Sequence, residues 1–151
     1  MSRRKTFVDA GVLIAAARGK DDLAGKAMKI LDDPNREFVA SPFLRLEILP
    51  KPVYEKRQAE VEFYETFFDA VAYWADSVED IVKNAYAEAC AFGLSAMDAL
   101  HVAAAASAGA EDLVTTEKTD KPIHRVNSMN ILSIHSVESH PPFPDRSSLE
   151  Q

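Results

Sequence analysis

Short apolar runs bounded by polar or turn-forming residues alternate along the chain with longer stretches whose apolar positions recur every three or four residues. The first rhythm suits a buried strand, the second an amphipathic helix. Phe7-Val8 opens a strand that stops at Asp9, and Val12-Leu13-Ile14-Ala15-Ala16-Ala17 continues as a helix beyond the turn at Ala10-Gly11. Asp21 and Asp22 start a second helix carrying Leu23, Ala27, Ile30 and Leu31, which Pro34-Asn35 ends. Phe38-Val39-Ala40 is a short strand after the turn signal Asp32-Asp33-Pro34-Asn35. Ser41 then caps a helix with Pro42 at its first position, and Pro50 and Pro52 bend or stop it.

The second half repeats the scheme. Val61, Tyr64, Phe67 and Phe68 give helical spacing over 58–70, and Val71-Ala72-Tyr73-Trp74 reads as a strand. Ser77, with Asp80 three residues on, predicts a capping box for a helix over 78–92 that Gly93 terminates. Ser95 starts an alanine-dominated helix over 96–108, ended by Gly109 and suited to a central, closely packed position. Leu113-Val114-Thr115-Thr116 and Ile131-Leu132-Ser133-Ile134 are further strands. Strands separated in single file by helices predict an α/β fold, a parallel sheet with helices on both faces. Ligand sites in such sheets lie beyond the carboxyl ends of the strands.

At 151 residues the chain suits one domain, over 1–138, and the polar, proline-rich stretch 139–151 reads as a flexible tail. Hydrophobic residues at 47% and charged residues at 27% exclude a disordered chain. The single cysteine, Cys90, excludes an internal disulfide, and its alanine neighbours suggest a small buried side chain. No apolar run approaches membrane-spanning length and the opening residues do not form a signal peptide, so no membrane partner and a cytoplasmic location are expected. A net charge of −7 argues against passive coating of nucleic acid, but divalent ions among clustered carboxylates would locally reverse the sign.

Three acids occupy unusual positions. Asp9 follows a strand directly; a helix N-cap and a ligand at the strand's carboxyl end are both open to it. Glu47 falls between Phe43 and Leu44 on a helical wheel, near the centre of the apolar arc, where a buried carboxylate needs a cation or an ion-pair partner. Asp98 fits the capping-box spacing after Ser95 and also lies where an ionised acid points out of the helix end. His101, one turn on, could join as a ligand, although packing or hydrogen bonding is the more usual fate of a lone histidine on an alanine-rich helix. Glu117 ends the Leu113-Val114-Thr115-Thr116 strand and Asp120 follows it, each a fourth acid or a turn residue beside Lys118 and Lys121. Carboxylates from separate elements form the natural cage for hard divalent cations, Mg²⁺ or Mn²⁺. Such a site can activate water and hold the charge that develops on a phosphodiester. The chain contains no glycine-rich phosphate loop, zinc-type Cys/His spacing or serine elbow to suggest other chemistry.

Four segments in this order resemble the motifs of PIN-domain proteins: Phe7-Val8-Asp9-Ala10-Gly11-Val12-Leu13-Ile14-Ala15-Ala16; Leu44-Arg45-Leu46-Glu47-Ile48-Leu49; Ser95-Ala96-Met97-Asp98-Ala99-Leu100-His101-Val102-Ala103-Ala104-Ala105; and Leu113-Val114-Thr115-Thr116-Glu117. The resemblance spans roughly residues 6–137. It implies a three-layer αβα sandwich with a mainly parallel sheet. It also implies a Mg²⁺- or Mn²⁺-dependent ribonuclease that prefers single-stranded RNA, as in VapC-type toxins and RNA-processing nucleases. Asp9, Glu47 and Asp98 match the first three acids of the family, and Glu117 stands where members commonly carry Asp or Asn. Arg45, Lys118 and Lys121 are candidates to hold substrate phosphates. The resemblance leaves open a toxin paired with an antitoxin, a homodimer using the apolar stretch 63–74, and a catalytically weak module that binds nucleic acid or protein.

Overall fold

The computed structural model describes residues 2–137, so the expected tail over 139–151 lies outside the described residues. Five parallel strands form one sheet in the order β3-β2-β1-β4-β5. They are β1 (Arg4–Val8), β2 (Arg36–Ala40), β3 (Tyr73–Trp74), β4 (Asp112–Thr115) and β5 (Asn130–Ser133). The helices are α1 (Ala10–Arg18), α2 (Asp22–Leu31), α3 (Pro42–Ile48), α4 (Pro50–Tyr54), α5 (Gln58–Ala70), α6 (Val78–Phe92) and α7 (Ala96–Ser107). Two 3-10 turns, Pro122–Arg125 and Ile134–Ser136, flank β5.

From β1 the chain steps through β2 to β3 in one direction, returns across the sheet to β4, and continues to β5. Parallel crossovers are right-handed, so the change of direction assigns α1–α5 to one face and α6 and α7 to the other. That is the expected αβα sandwich. It also puts the topological switch point between β1 and β4, the place where ligand sites form beyond the carboxyl ends of the strands in such sheets. Burial on both faces explains why Phe7, Val8, Val39, Ala40, Leu113 and Val114 are inaccessible to solvent.

The predicted caps mostly form. Asp9, Asp21, Ser41 and Ser95 each accept a backbone N–H from the first turn of their helix. Ser77 occupies the N-cap of α6 but makes no side-chain capping bond, so the predicted capping box is absent there. Pro50 does not merely stop α3: it starts the one-turn helix α4, because proline suits a helix's first turn. The strand predicted over 71–74 shortens to Tyr73–Trp74, since Val71 still closes α5. Within the apolar stretch 63–74, core packing takes Tyr64 and Phe68, while Tyr73 and Trp74 stay exposed.

Two expectations about burial are overturned. Cys90 is exposed, because α6 packs through the strip containing Ile81 and Ala85 and turns Cys90 away from it. Glu47 is not at the centre of a buried arc. In the seven-residue α3 only Leu44 and Ile48 are buried and Leu46 is 71% exposed, so the buried strip is narrower than the apolar pattern and Glu47 stands on its rim.

At the opposite end of the strands, Asp112 is buried and accepts from Arg4 at 2.7 and 2.8 Å, from Arg36 at 2.8 Å and from Asn130 at 3.0 Å. One carboxylate thereby ties β1, β2, β4 and β5 together.

Candidate active site

β1 delivers Asp9 to the switch point. Its backbone N–H donates to Val114 O at 3.0 Å, extending the β1–β4 pairing by one residue. The side chain then turns back as the cap of α1, Oδ1 accepting from Val12 N at 3.2 Å. The other oxygen, Oδ2, accepts from the Thr115 hydroxyl at 2.5 Å. Capping and a place in the site are therefore compatible roles.

Gly11 lets this junction close. A Cβ there would overlap the Thr116 hydroxyl and lie 2.9 Å from Thr116 Cγ2, so the first turn of α1 can meet the end of β4 only without a side chain.

Asp9 is 8% exposed, and burial pushes its carboxyl up to about 6. The bonds from Thr115 and Val12 and the electrostatic influence of His101 work against that rise, and the charge of Asp98 adds to it. Asp98 is therefore close enough for its charge to act on Asp9. It is half-buried in the first turn of α7, where its N–H donates to Ser95 Oγ at 3.3 Å.

Glu47 reaches the same end from α3, which packs against α7. Its Oε2 lies 3.1 Å from His101 Nε2. Glu47 keeps about 30% of its side chain exposed, whereas His101 is buried and its ring packs on Phe7 with centroids 5.4 Å apart. The packed, hydrogen-bonded reading of His101 fits the structure. Among the described residues, no lysine or arginine forms an ion pair with Asp9, Glu47 or Asp98.

The loop after β4 is anchored through its backbone. Glu117 N donates to Thr115 Oγ1 at 3.1 Å, and Glu117 O accepts from His124 Nε2 at 3.0 Å. The Glu117 side chain is half-buried and Asp120 is exposed; among the described residues neither carboxylate makes a hydrogen bond or ion pair. Lys118 and Lys121 are exposed beside them. Arg45 is already engaged, pairing with Glu65 at 3.3 Å and lying over the Phe68 ring.

Hard oxygen donors without a cationic partner suit a divalent ion. The side chains do not converge on one point, however: among the described residues no three His, Cys, Asp or Glu side chains are grouped closely enough to hold a metal. Electrostatics gives the reason, since bare carboxylates repel one another and Glu47 rests instead on His101.

Pattern reading missed Thr115 and the Gly11 approach. A threonine at the end of a strand is ordinary in sequence, and only the β1–β4 pairing sets it against Asp9.

The profile of the PIN domain matches residues 6–127. The chain belongs to the PIN-domain family. No curated protein matches it. Among solved structures, this PIN domain is similar to a toxin–antitoxin complex from Klebsiella pneumoniae, with a TM-score of 0.64 and 18% identity over 85% of this chain and 97% of that one. It is also similar to DNA-bound VapBC from Salmonella typhimurium, with a TM-score of 0.63 and 16% identity over 87% and 98% of the two chains. VapBC2 from Rickettsia felis, bound to a promoter DNA fragment, gives 0.61 and 14% over 85% and 98%. Identities this low establish a shared fold. Among the described residues of this PIN domain, no single helix is long and apolar enough to cross a membrane.

Proposed function

We propose that this chain is a divalent-metal-dependent endoribonuclease that cleaves single-stranded RNA, and that it is a toxin held by an antitoxin partner. One observation carries the nuclease reading. Asp9, buried and acted on by Asp98, stands at the switch point of a PIN domain, and among the described residues no lysine or arginine pairs with it. Mg²⁺ or Mn²⁺ suits that deficit, with Asp9, Glu47 and Asp98 as the residues that would hold it and Glu117, less directly Asp120, as a fourth acid. When bound, such an ion lowers the pKa of water and offsets charge developing on a phosphodiester.

The chain's own residues have separate tasks. Thr115 keeps Asp9 hydrogen-bonded and oriented. Ser95 holds the first turn of α7 and with it Asp98. Lys118 and Lys121 are exposed and free to meet RNA phosphates, a role less open to Arg45 while Glu65 engages it. The antitoxin proposal draws its support from the fold shared with VapBC and other toxin–antitoxin complexes.

The test is cleavage of unstructured RNA by the purified chain with Mn²⁺ or Mg²⁺ and with chelator. Activity that requires metal and disappears in Asp98→Asn is expected. Two observations favour a second reading, a catalytically weak module that binds nucleic acid or protein: among the described residues the acids are not grouped as a metal site, and glutamate stands at position 117. RNA that is bound but never cut under any metal condition would establish that reading instead.

A further inference from the structure

We infer that α6 is the surface through which two copies of this chain pair, antiparallel about a two-fold axis at Val82. Helix α6 meets the rest of the fold through Ile81 and Ala85, with Ala89 and Phe92 partly covered on the same side. The row beside that strip has no cover. Val78, Val82 and Tyr86 recur every four residues and are 46%, 50% and 76% exposed. Residues four apart lie one above another on a helix, so the three form a continuous apolar ridge about 12 Å long. Single exposed apolar residues are ordinary on a protein surface, whereas a contiguous group of them marks a contact. The next row is Glu79, Lys83 and Ala87, also exposed, and among the described residues neither Glu79 nor Lys83 forms an ion pair.

These two rows select the occupant. Rows of residues four apart on two helices interdigitate at a crossing of about −50°, and such a crossing needs only a short contact. A second α6, reversed about Val82, lays its apolar ridge into the groove between the apolar row and the Glu79–Lys83 row. Val82 then meets its own copy and Val78 meets the partner's Tyr86. Glu79 comes opposite the partner's Lys83, and the two-fold axis repeats that ion pair. The face is thus complementary to itself in both packing and charge, as an isologous contact requires. An anionic membrane fits less well, because Glu79, Asp80 and a net charge of −7 oppose it. The homodimer surface expected over 63–74 therefore moves to α6, since the core takes Tyr64 and Phe68. Helix α6 carries none of the residues assigned to the candidate site, so this pairing holds with or without the metal reading.

The experiment is sedimentation equilibrium of the full chain over a concentration series, with circular dichroism as the check on folding. The wild type should reach the mass of two chains, and Val82→Glu should remain a monomer with unchanged helical signal. Glu79→Lys and Lys83→Glu should each weaken pairing several-fold, because each breaks two symmetry-related ion pairs. The double variant Glu79→Lys/Lys83→Glu re-forms both pairs with the signs exchanged and should recover most of the loss. Val82→Cys on a Cys90→Ala background places its thiol on the axis and should form a two-chain disulfide under mild oxidation. A wild type that stays monomeric at every concentration overturns the proposal, including one that instead binds anionic vesicles. A dimer that survives Val82→Glu overturns it too, since the contact then lies elsewhere. If Val82→Glu loses its helical signal, the charge variants decide: single and double variants that pair equally well overturn the proposal.

Discussion

The Thr115 hydroxyl donates to Asp9 Oδ2 at 2.5 Å, joining the end of β4 to the residue that both ends β1 and caps α1. The bond favours ionised Asp9 but does not outweigh burial, which holds the carboxyl up at about 6. This value lies above that of an aspartate in the unfolded chain, so ionised Asp9 lowers the stability of the metal-free fold. The loss is absent below about pH 4, grows as the pH rises toward 6 and is complete above it. Asparagine caps a helix as well as aspartate does. Metal-free Asp9→Asn is therefore expected to be more stable than the wild type at pH 7.5, by about 1–3 kcal/mol, and to match it near pH 4. Urea denaturation at the two pH values checks this, and equal stability at pH 7.5 would contradict the burial argument.

Asp112 predicts the opposite pH dependence. The Arg4 hydrogen bonds, with help from Asn130 and Arg36, hold its carboxyl well below the usual carboxylate range. A depressed folded-state value means that the stabilisation is fully present above about pH 4 and is lost as the pH falls toward the folded value. Asp112→Asn should lower stability at pH 7 by about 2–4 kcal/mol, because it removes the charge paired with Arg4 and Arg36 and leaves the half-buried Arg36 only its longer ion pair with Asp33. It should also flatten the acid limb of the stability curve, as read by thermal unfolding between pH 2 and pH 7.

At Gly11, helix propensity and packing predict opposite signs. Propensity alone would make Gly11→Ala stabilising by about 1 kcal/mol. The overlap of a new Cβ with the Thr116 side chain should instead destabilise the fold by about 1–3 kcal/mol. Thr116→Ala removes the obstructing atoms, so the double variant should recover most of the loss. Chemical denaturation of the three variants tests the pair; a stabilised Gly11→Ala would show that the two elements can separate without penalty.

Lys118 and Lys121 provide a test of substrate contact. If they meet phosphates, replacing both with alanine should raise KM for RNA several-fold. It should also reduce the dependence of binding on log salt concentration by about 1–2 in slope. Arg45→Ala should change KM much less, since Glu65 engages that guanidinium. Equal effects from Arg45 and the two lysines would move the RNA path toward α3.

Much of the fold was legible because local patterns and tertiary requirements agree. Strands buried on both faces need short apolar runs, and Phe7-Val8, Phe38-Val39-Ala40 and Leu113-Val114 supply them. Asp9, Ser41 and Ser95 are capping residues beside apolar-periodic helices, and the structure uses each as a cap. Glu47 was less legible. A helical wheel gives every apolar residue the same inward weight, but Leu46 faces solvent because α3 is too short to bury more than the strip through Leu44 and Ile48. Cys90 differs for a related reason: alanines on both sides report a helix, not which of its faces meets the sheet.

The order of strands and helices, the caps and the identity of the acids are written along the chain, because each depends on neighbours within a turn or two. The tertiary structure alone set Thr115 against Asp9, Glu47 against His101, and Asp112 among Arg4, Arg36 and Asn130. Those contacts join residues 18 to 108 positions apart. Strand order and helix packing bring them within hydrogen-bonding distance, and no local periodicity encodes either.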